Sequence, residues 1–197
     1  MKKHIILLLV ASLGLASCGK EYLETTPSES ISEQLMFTDL TGAQTVLEGL
    51  HRATYQYYNA HDRFGQKSID LVMDIMGEDF YQTAAAYGWY NNNYYRWVSH
   101  RNATDGRLEY VWAYYYDLIN GANIILKNID NITIYDAEIP KKNWIKAQAL
   151  FYRAHSYYTL VQLFATRYDF TSNNNTQLGV PLYTEPTSIG KERSTVQ

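Results

Sequence analysis

Residues 141–166 read KKNWIKAQALFYRAHSYYTLVQLFAT, and the fold turns on them. Trp144, Ala147, Phe151, Ala154, Tyr158, Val161 and Ala165 recur at intervals of three and four, the spacing that lines one face of an α-helix. Pro140, just ahead, suits the first turn of that helix. Upstream, Thr104 or Asp105 caps a second long helix, with Leu108, Val111, Trp112, Tyr115, Ile119, Ala122, Leu126 and Ile129 along one face. Asn131 to Ile139 is then the turn, and the two helices form an antiparallel pair. Small Ala147, Ala149 and Ala154 beside bulky Trp144, Phe151 and Tyr158 allow close packing of the kind that stacked helix pairs of tetratricopeptide type require, although no full repeat of that type recurs. The expected fold class is mainly α, built of helical pairs with long aromatic-rich loops.

Outward from this pair the signals thin. Thr38 or Asp39 caps a helix carrying Leu40, Ala43, Leu47, Leu50, Ala53 and Tyr57 on one face, and a shorter helix covers about Gln66 to Met76. Phe80 to His100 loses periodicity and reads as a loop region. Beyond Tyr168 the chain is rich in Ser, Asn and Thr until the short extended piece Gly179-Val180-Pro181-Leu182-Tyr183. Ser194 and Gln197 stand at capping-box spacing, which announces a helix where the sequence stops. The expectation is a chain truncated at its C-terminus. Its helix pair would leave one apolar flank exposed, and the Gly179–Tyr183 piece would lack partners.

At the other end, Met1 to His4 form a basic n-region and Ile5 to Leu15 an apolar h-region, which together read as a secretory signal. The run is too short to span a bilayer, which takes roughly 20 apolar residues. Leu15-Ala16-Ser17-Cys18 resembles a bacterial lipobox, in which cleavage falls just before a lipid-modified cysteine. Cys18 is also the single cysteine, so it cannot form an internal disulfide. The organisation expected is a lipoprotein signal peptide over 1–17, a tether over 18–37, and a helical region over 38–197.

Composition excludes more than it assigns. The chain carries 17 Lys+Arg and 20 Asp+Glu; without Lys2 and Lys3 its net charge is more negative still, and no basic cluster extends beyond Lys141-Lys142, so nucleic acid is not a partner. Aromatics make up 15%, with 19 tyrosines. A tyrosine offers a flat apolar face and a hydrogen-bonding tip. Sugars match it, because their C–H faces stack while their hydroxyls bond sideways.

The candidate ligand site is therefore the loop carrying Tyr87, Trp89, Tyr90, Asn91, Asn92, Tyr94, Tyr95 and Trp97, in which rings alternate with amides. The competing reading folds these aromatics back onto the helices as core. Asp70, Asp74, Glu78 and Asp79 raise a glycosidase rival, since such enzymes use paired carboxylates, but acids at this spacing ordinarily form a solvated face or a cap. His51, His61, His100 and His155 lack metal-ligand spacing, and no G-x-S-x-G, phosphate-binding or dinucleotide-binding glycine motif occurs. Neither catalysis nor a metal or other cofactor is expected, and Arg153 reads as a packing or ion-pairing residue.

The string Lys146 to Phe164 followed by Gly179-Val180-Pro181-Leu182 resembles the hallmark of the SusD/RagB family. Three further segments resemble it in the same order: Tyr22-Leu23-Glu24-Thr25-Thr26-Pro27 after the lipobox, Leu47-Glu48-Gly49-Leu50, and Trp112 with Asn120-Gly121-Ala122-Asn123-Ile124-Ile125. The resemblance covers nearly the whole chain but only the N-terminal portion of a longer family. It implies an outward-facing outer-membrane lipoprotein, anchored by lipid on Cys18, that captures nutrient for a SusC-like TonB-dependent transporter. The ligand implied is a glycan, with peptide capture of RagB type or a non-catalytic helical scaffold as alternatives. Lys20-Glu21 after Cys18 loosely resembles a surface-export signal.

Overall fold

The structure, a computed structural model, describes residues 33–60, 62–77, 80, 97–171 and 176–196, so Cys18 and the N-terminal signals lie outside the described residues. These residues fall in two units dividing after Met36. The first contributes one helical turn, Glu33–Met36. The second holds four long helices: α1 (Leu40–Ala53), α2 (Gly65–Met76), α3 (Gly106–Asn128) and α4 (Ile139–Phe164).

Helix α1 starts where the Asp39 carboxylate accepts from the N–H groups of Thr41 and Gly42, at 2.8 and 2.9 Å. Those donors have no partner within the helix, so the cap fixes its start. Leu40, Ala43, Leu47 and Leu50 are buried, as the spacing predicts. Tyr57 falls beyond the helix end and is about half exposed, because the chain turns there to pair Tyr57 with Phe64. Gly65 opens α2 with φ +57°, and a Cβ on it would stand 2.3 Å from the Thr54 carbonyl oxygen. Only glycine can take that corner.

Asp105 caps α3 by accepting from the Arg107 N–H. The α1–α2 turn is tied to this end: Arg63 donates to the Gly106 carbonyl at 3.1 Å, and Arg107 meets Asp62 at 3.2 Å. Burial on α3 is wider than the predicted stripe. Tyr114, Leu118, Asn123 and Ile125 are buried as well as Tyr115, Ile119 and Ala122, whereas Leu108, Val111, Trp112 and Leu126 are only partly covered. A helix packed on two sides cannot bury one stripe alone, and α3 packs against both α1 and α4.

The antiparallel pair is present. Trp112 meets Phe164 edge-on, Arg153 donates to Asn123 Oδ1, and Lys146 reaches Asp130, so residue numbers rise on α3 as they fall on α4. The face that α4 buries is nevertheless not the predicted one. Ile145, Ala149, Ser156, Thr159 and Leu160 point inward, whereas Trp144, Phe151 and Tyr158 are 56%, 63% and 67% exposed. Ala147 and Ala154 are exposed with them. Both sets satisfy helical spacing. The α3 side fills the interface with Tyr114, Tyr115, Leu118 and Ile119, which leaves room on α4 for the slimmer set at interior packing density.

The C-terminal piece also departs from expectation. The Gly179 N–H donates to Ser194 O at 2.7 Å, Ser194 N–H to Val180 O at 3.2 Å and Val196 N–H to Gln177 O at 2.9 Å. Residues 194–196 therefore run extended against 177–180 instead of opening a helix, and Gly179–Tyr183 has partners after all. Among the described residues no helix is long and apolar enough to cross a membrane.

Candidate functional site

Of the aromatic loop proposed from sequence, Tyr87, Trp89, Tyr90, Asn91, Asn92, Tyr94 and Tyr95 lie outside the described residues. Trp97 is described. Its backbone is left-handed at φ 57°, its ring is half exposed, and it meets His100 edge-on with centroids 5.3 Å apart. A non-glycine residue held in that region is uncommon.

The helices themselves form a cleft of about 420 Å³ between α2, α3 and α4. Its wall on α4 follows from i,i+4 spacing: Phe151 and His155 lie one turn apart and stack, with ring centroids 5.8 Å apart at 28°. Tyr152 stands beside them, its hydroxyl 2.7 Å from His51 Nδ1. Tyr114 and Leu118 of α3 form the floor. On α2, Gln66 donates to Asp70 at 2.8 Å and Lys67 meets the other carboxylate oxygen at 3.4 Å, while the Tyr115 hydroxyl donates to Gln66 Oε1 at 3.0 Å.

Two properties decide what this cleft can do. The Tyr114 hydroxyl is buried with no hydrogen-bond partner among the described residues, and burial first, then neighbouring tyrosines, pushes its pKa up. Burial does the same for Tyr115 and Tyr152. All three therefore remain neutral hydroxyls; Tyr115 already donates to Gln66, whereas the Tyr114 proton has no acceptor among the described residues. The cleft offers an exposed aromatic platform edged by a carboxylate, an ammonium and an amide, which suits a hydroxyl-rich ring lying flat on Phe151.

The sequence reading of Asp70 as an acid on a solvated face meets a different placement: Asp70 lines the cleft, held by Gln66 and Lys67, whereas Asp74 is exposed on α2. Glu78 and Asp79 lie outside the described residues, as does His61. Among the described residues no three His, Cys, Asp or Glu side chains are grouped as a metal site would need. Arg153 packs between α4 and the C-terminal segment, donating to Asn123 Oδ1 at 3.0 Å and Thr184 O at 3.5 Å. Phe151, Tyr152, His155, Gln66 and Lys67 were not singled out as site residues from sequence. Their i,i+4 pairs were visible there, but nothing local joins α2 to α4.

Residues 21–197 match the SusD-like family, described as starch-binding and associating with the outer membrane. A solved protein of Bacteroides vulgatus named for sugar binding is similar at 27% identity and a TM-score of 0.64, over 81% of this chain. A SusD-like carbohydrate binding protein from the same organism is similar in fold at 24% identity and a TM-score of 0.63, over 80% of this chain. The chain spans about a third of the length of these structures, 33% and 32%. No curated protein matches it.

Proposed function

The chain belongs to the SusD-like family, and from that premise we propose that it is a nutrient-capture lipoprotein that binds oligo- or polysaccharide and delivers it to a SusC-like TonB-dependent transporter in the outer membrane. The family match supports glycan as the ligand class. Within the chain, the supporting observation is the exposed Phe151 platform beside the Lys67–Asp70 pair and the unpartnered Tyr114 hydroxyl. The aromatic loop of Tyr87, Trp89, Tyr90, Asn92, Tyr94 and Trp97 is proposed as a second contact. Binding needs no bond making or breaking, so the side chains serve as platform and hydrogen-bonding partners.

Affinity electrophoresis of the full-length mature protein against a polysaccharide panel tests this reading. Retardation by at least one neutral glycan is expected. Retardation by none, with peptide binding in calorimetry, would replace glycan capture by peptide capture, and binding of neither would leave a scaffold. Anchoring is proposed to run through lipid on Cys18, with residues 1–17 removed and 18–37 as tether. Cys18→Ala is expected to release the protein from outer-membrane fractions after detergent-free washing. Retention in a strain that also lacks the transporter would overturn the anchor.

A further inference from the structure

Residues 181–190 contain neither helix nor strand, yet side chains hold them firmly on α3 and α4. The Tyr116 hydroxyl donates to Pro181 O at 2.9 Å. Asn123 Nδ2 and the Tyr157 hydroxyl both donate to Tyr183 O, each at 2.9 Å. The Thr187 N–H donates to Asn120 Oδ1 at 3.3 Å, and the Lys191 N–H to the Tyr183 hydroxyl at 2.9 Å. A segment pinned at so many points is a preformed wall, and a preformed wall spares a ligand the cost of ordering it.

Between this wall and α3 lies a cleft of about 290 Å³, distinct from the one around Phe151. Its aromatic side is continuous: Trp112 and Tyr116 have centroids 4.9 Å apart, and Tyr183 meets Tyr116 edge-on at 5.7 Å. Its polar side brings Asp117 and Asn120 from α3 together with Thr187 and Ser188 from the loop. Asp117 is an exposed residue at the rim of the cleft, its carboxylate makes no hydrogen bond or ion pair with a described residue, and the burial it has raises its pKa. A carboxylate so placed beside the aromatic wall can exchange its water for hydroxyl donors brought by a ligand.

We propose that this cleft is a second ligand site that takes one ring of a neutral hexose glycan, with the Asp117 carboxylate accepting from sugar hydroxyls and the ring lying against the Trp112 and Tyr183 side. The volume is at the lower bound for a small-molecule site, which sets the occupant at one ring and not a long segment. The unpaired carboxylate selects against uronates and other anionic sugars, whose charge it would repel. The proposal rests on the glycan reading above and adds a second place where it acts.

The test titrates the full-length mature protein with maltohexaose, cellohexaose and mannohexaose by calorimetry and carries the tightest binder into variants. Asp117→Ala is expected to weaken binding about tenfold, the effect of losing a hydrogen bond to a charged group, with an unchanged thermal melt. Ser188→Leu, at an exposed loop position, fills the cleft and gives a comparable loss. Affinity and stoichiometry undiminished in both variants, but lost in Lys67→Ala/Asp70→Ala, would assign all binding to the other cleft and overturn this site. Failure of all three hexaoses to bind the wild type would overturn it too. In that case, continued retardation on the polysaccharide panel would show that glycan capture itself survives.

Discussion

The two faces of α4 differ in a way that runs against size. Its inner face carries Ile145, Ala149, Ser156 and Leu160, all fully buried, while its outer face carries Trp144, Phe151 and Tyr158, all more exposed than not. Three large rings thus stand outside, while Tyr152, Tyr157, Val161 and Phe164 of the same helix pack partly buried against the core. Exposed rings repeated along one stripe of a helix offer a surface for a ligand or another chain segment, and the Phe151 end of the stripe is the platform of the proposed glycan cleft. Fit to α3 chose the inner face, and the face left over became available for recognition.

The sharpest way to break this contrast is to truncate both sides equally. Leu160→Ala is expected to cost about 3 kcal/mol, because it deletes fully buried methyl groups and leaves a cavity. Phe151→Ala removes more atoms, yet is expected to cost about 0.5 kcal/mol or less, as an exposed position does. Urea denaturation of the two variants measures the difference. Similar losses from both would mean that the outer face is packed against something.

A middle-sized effect is expected at Asn123, which is 1% exposed and joins Arg153 to the Tyr183 carbonyl. Asn123→Ala removes one hydrogen bond from each partner, leaving Tyr183 O to the Tyr157 hydroxyl and Arg153 to Thr184 O, and is expected to cost about 1 kcal/mol. It is also expected to loosen 181–190, visible as faster amide exchange there with little change in α1. Uniform protection would show that the segment is held without this residue.

The outer face makes a prediction about association instead of stability. Residues 18–197 alone are expected to self-associate in ultracentrifugation, and Phe151→Ser with Tyr158→Ser to diminish it without shifting the melt. A monodisperse monomer with a sharp melt would remove the case for an interaction surface on α4.

The smallest effect belongs to Asp130. The hydrogen bond from Lys146, and then the charges of Lys146 and Lys142, lower its pKa. A lowered carboxylate pKa contributes stability above the unfolded value, and that stability is lost as pH falls through the folded one. Because the pair is exposed, Asp130→Asn is expected to cost roughly 0.5 kcal/mol or less at neutral pH. In acid melts the variant and wild type should begin to approach each other below about pH 4 and converge only once pH has fallen through the lowered folded value.

Much of the fold was legible along the chain. Asp39 and Asp105 announce helix starts because a cap is a contact between neighbours in sequence, and the α1 stripe of Leu40, Ala43, Leu47 and Leu50 reads correctly because that helix buries one side only. The order of segments also carries the family resemblance. Less of the site was legible. Trp97 is the one residue of the proposed loop that the structure describes, and Phe151, read as core, stands on the surface.

The sequence by itself determined where the helices begin, that α3 and α4 pair antiparallel, and that the chain is mainly helical, since these depend on capping, spacing and a short connection. Only the tertiary structure decided which stripe of α4 faces inward, that α3 is buried on more than one side, and that residues 181–190 are pinned against both. Those outcomes depend on how the volumes of side chains far apart in sequence fit together, and hydrophobic spacing along one helix carries no information about the shape of its partner.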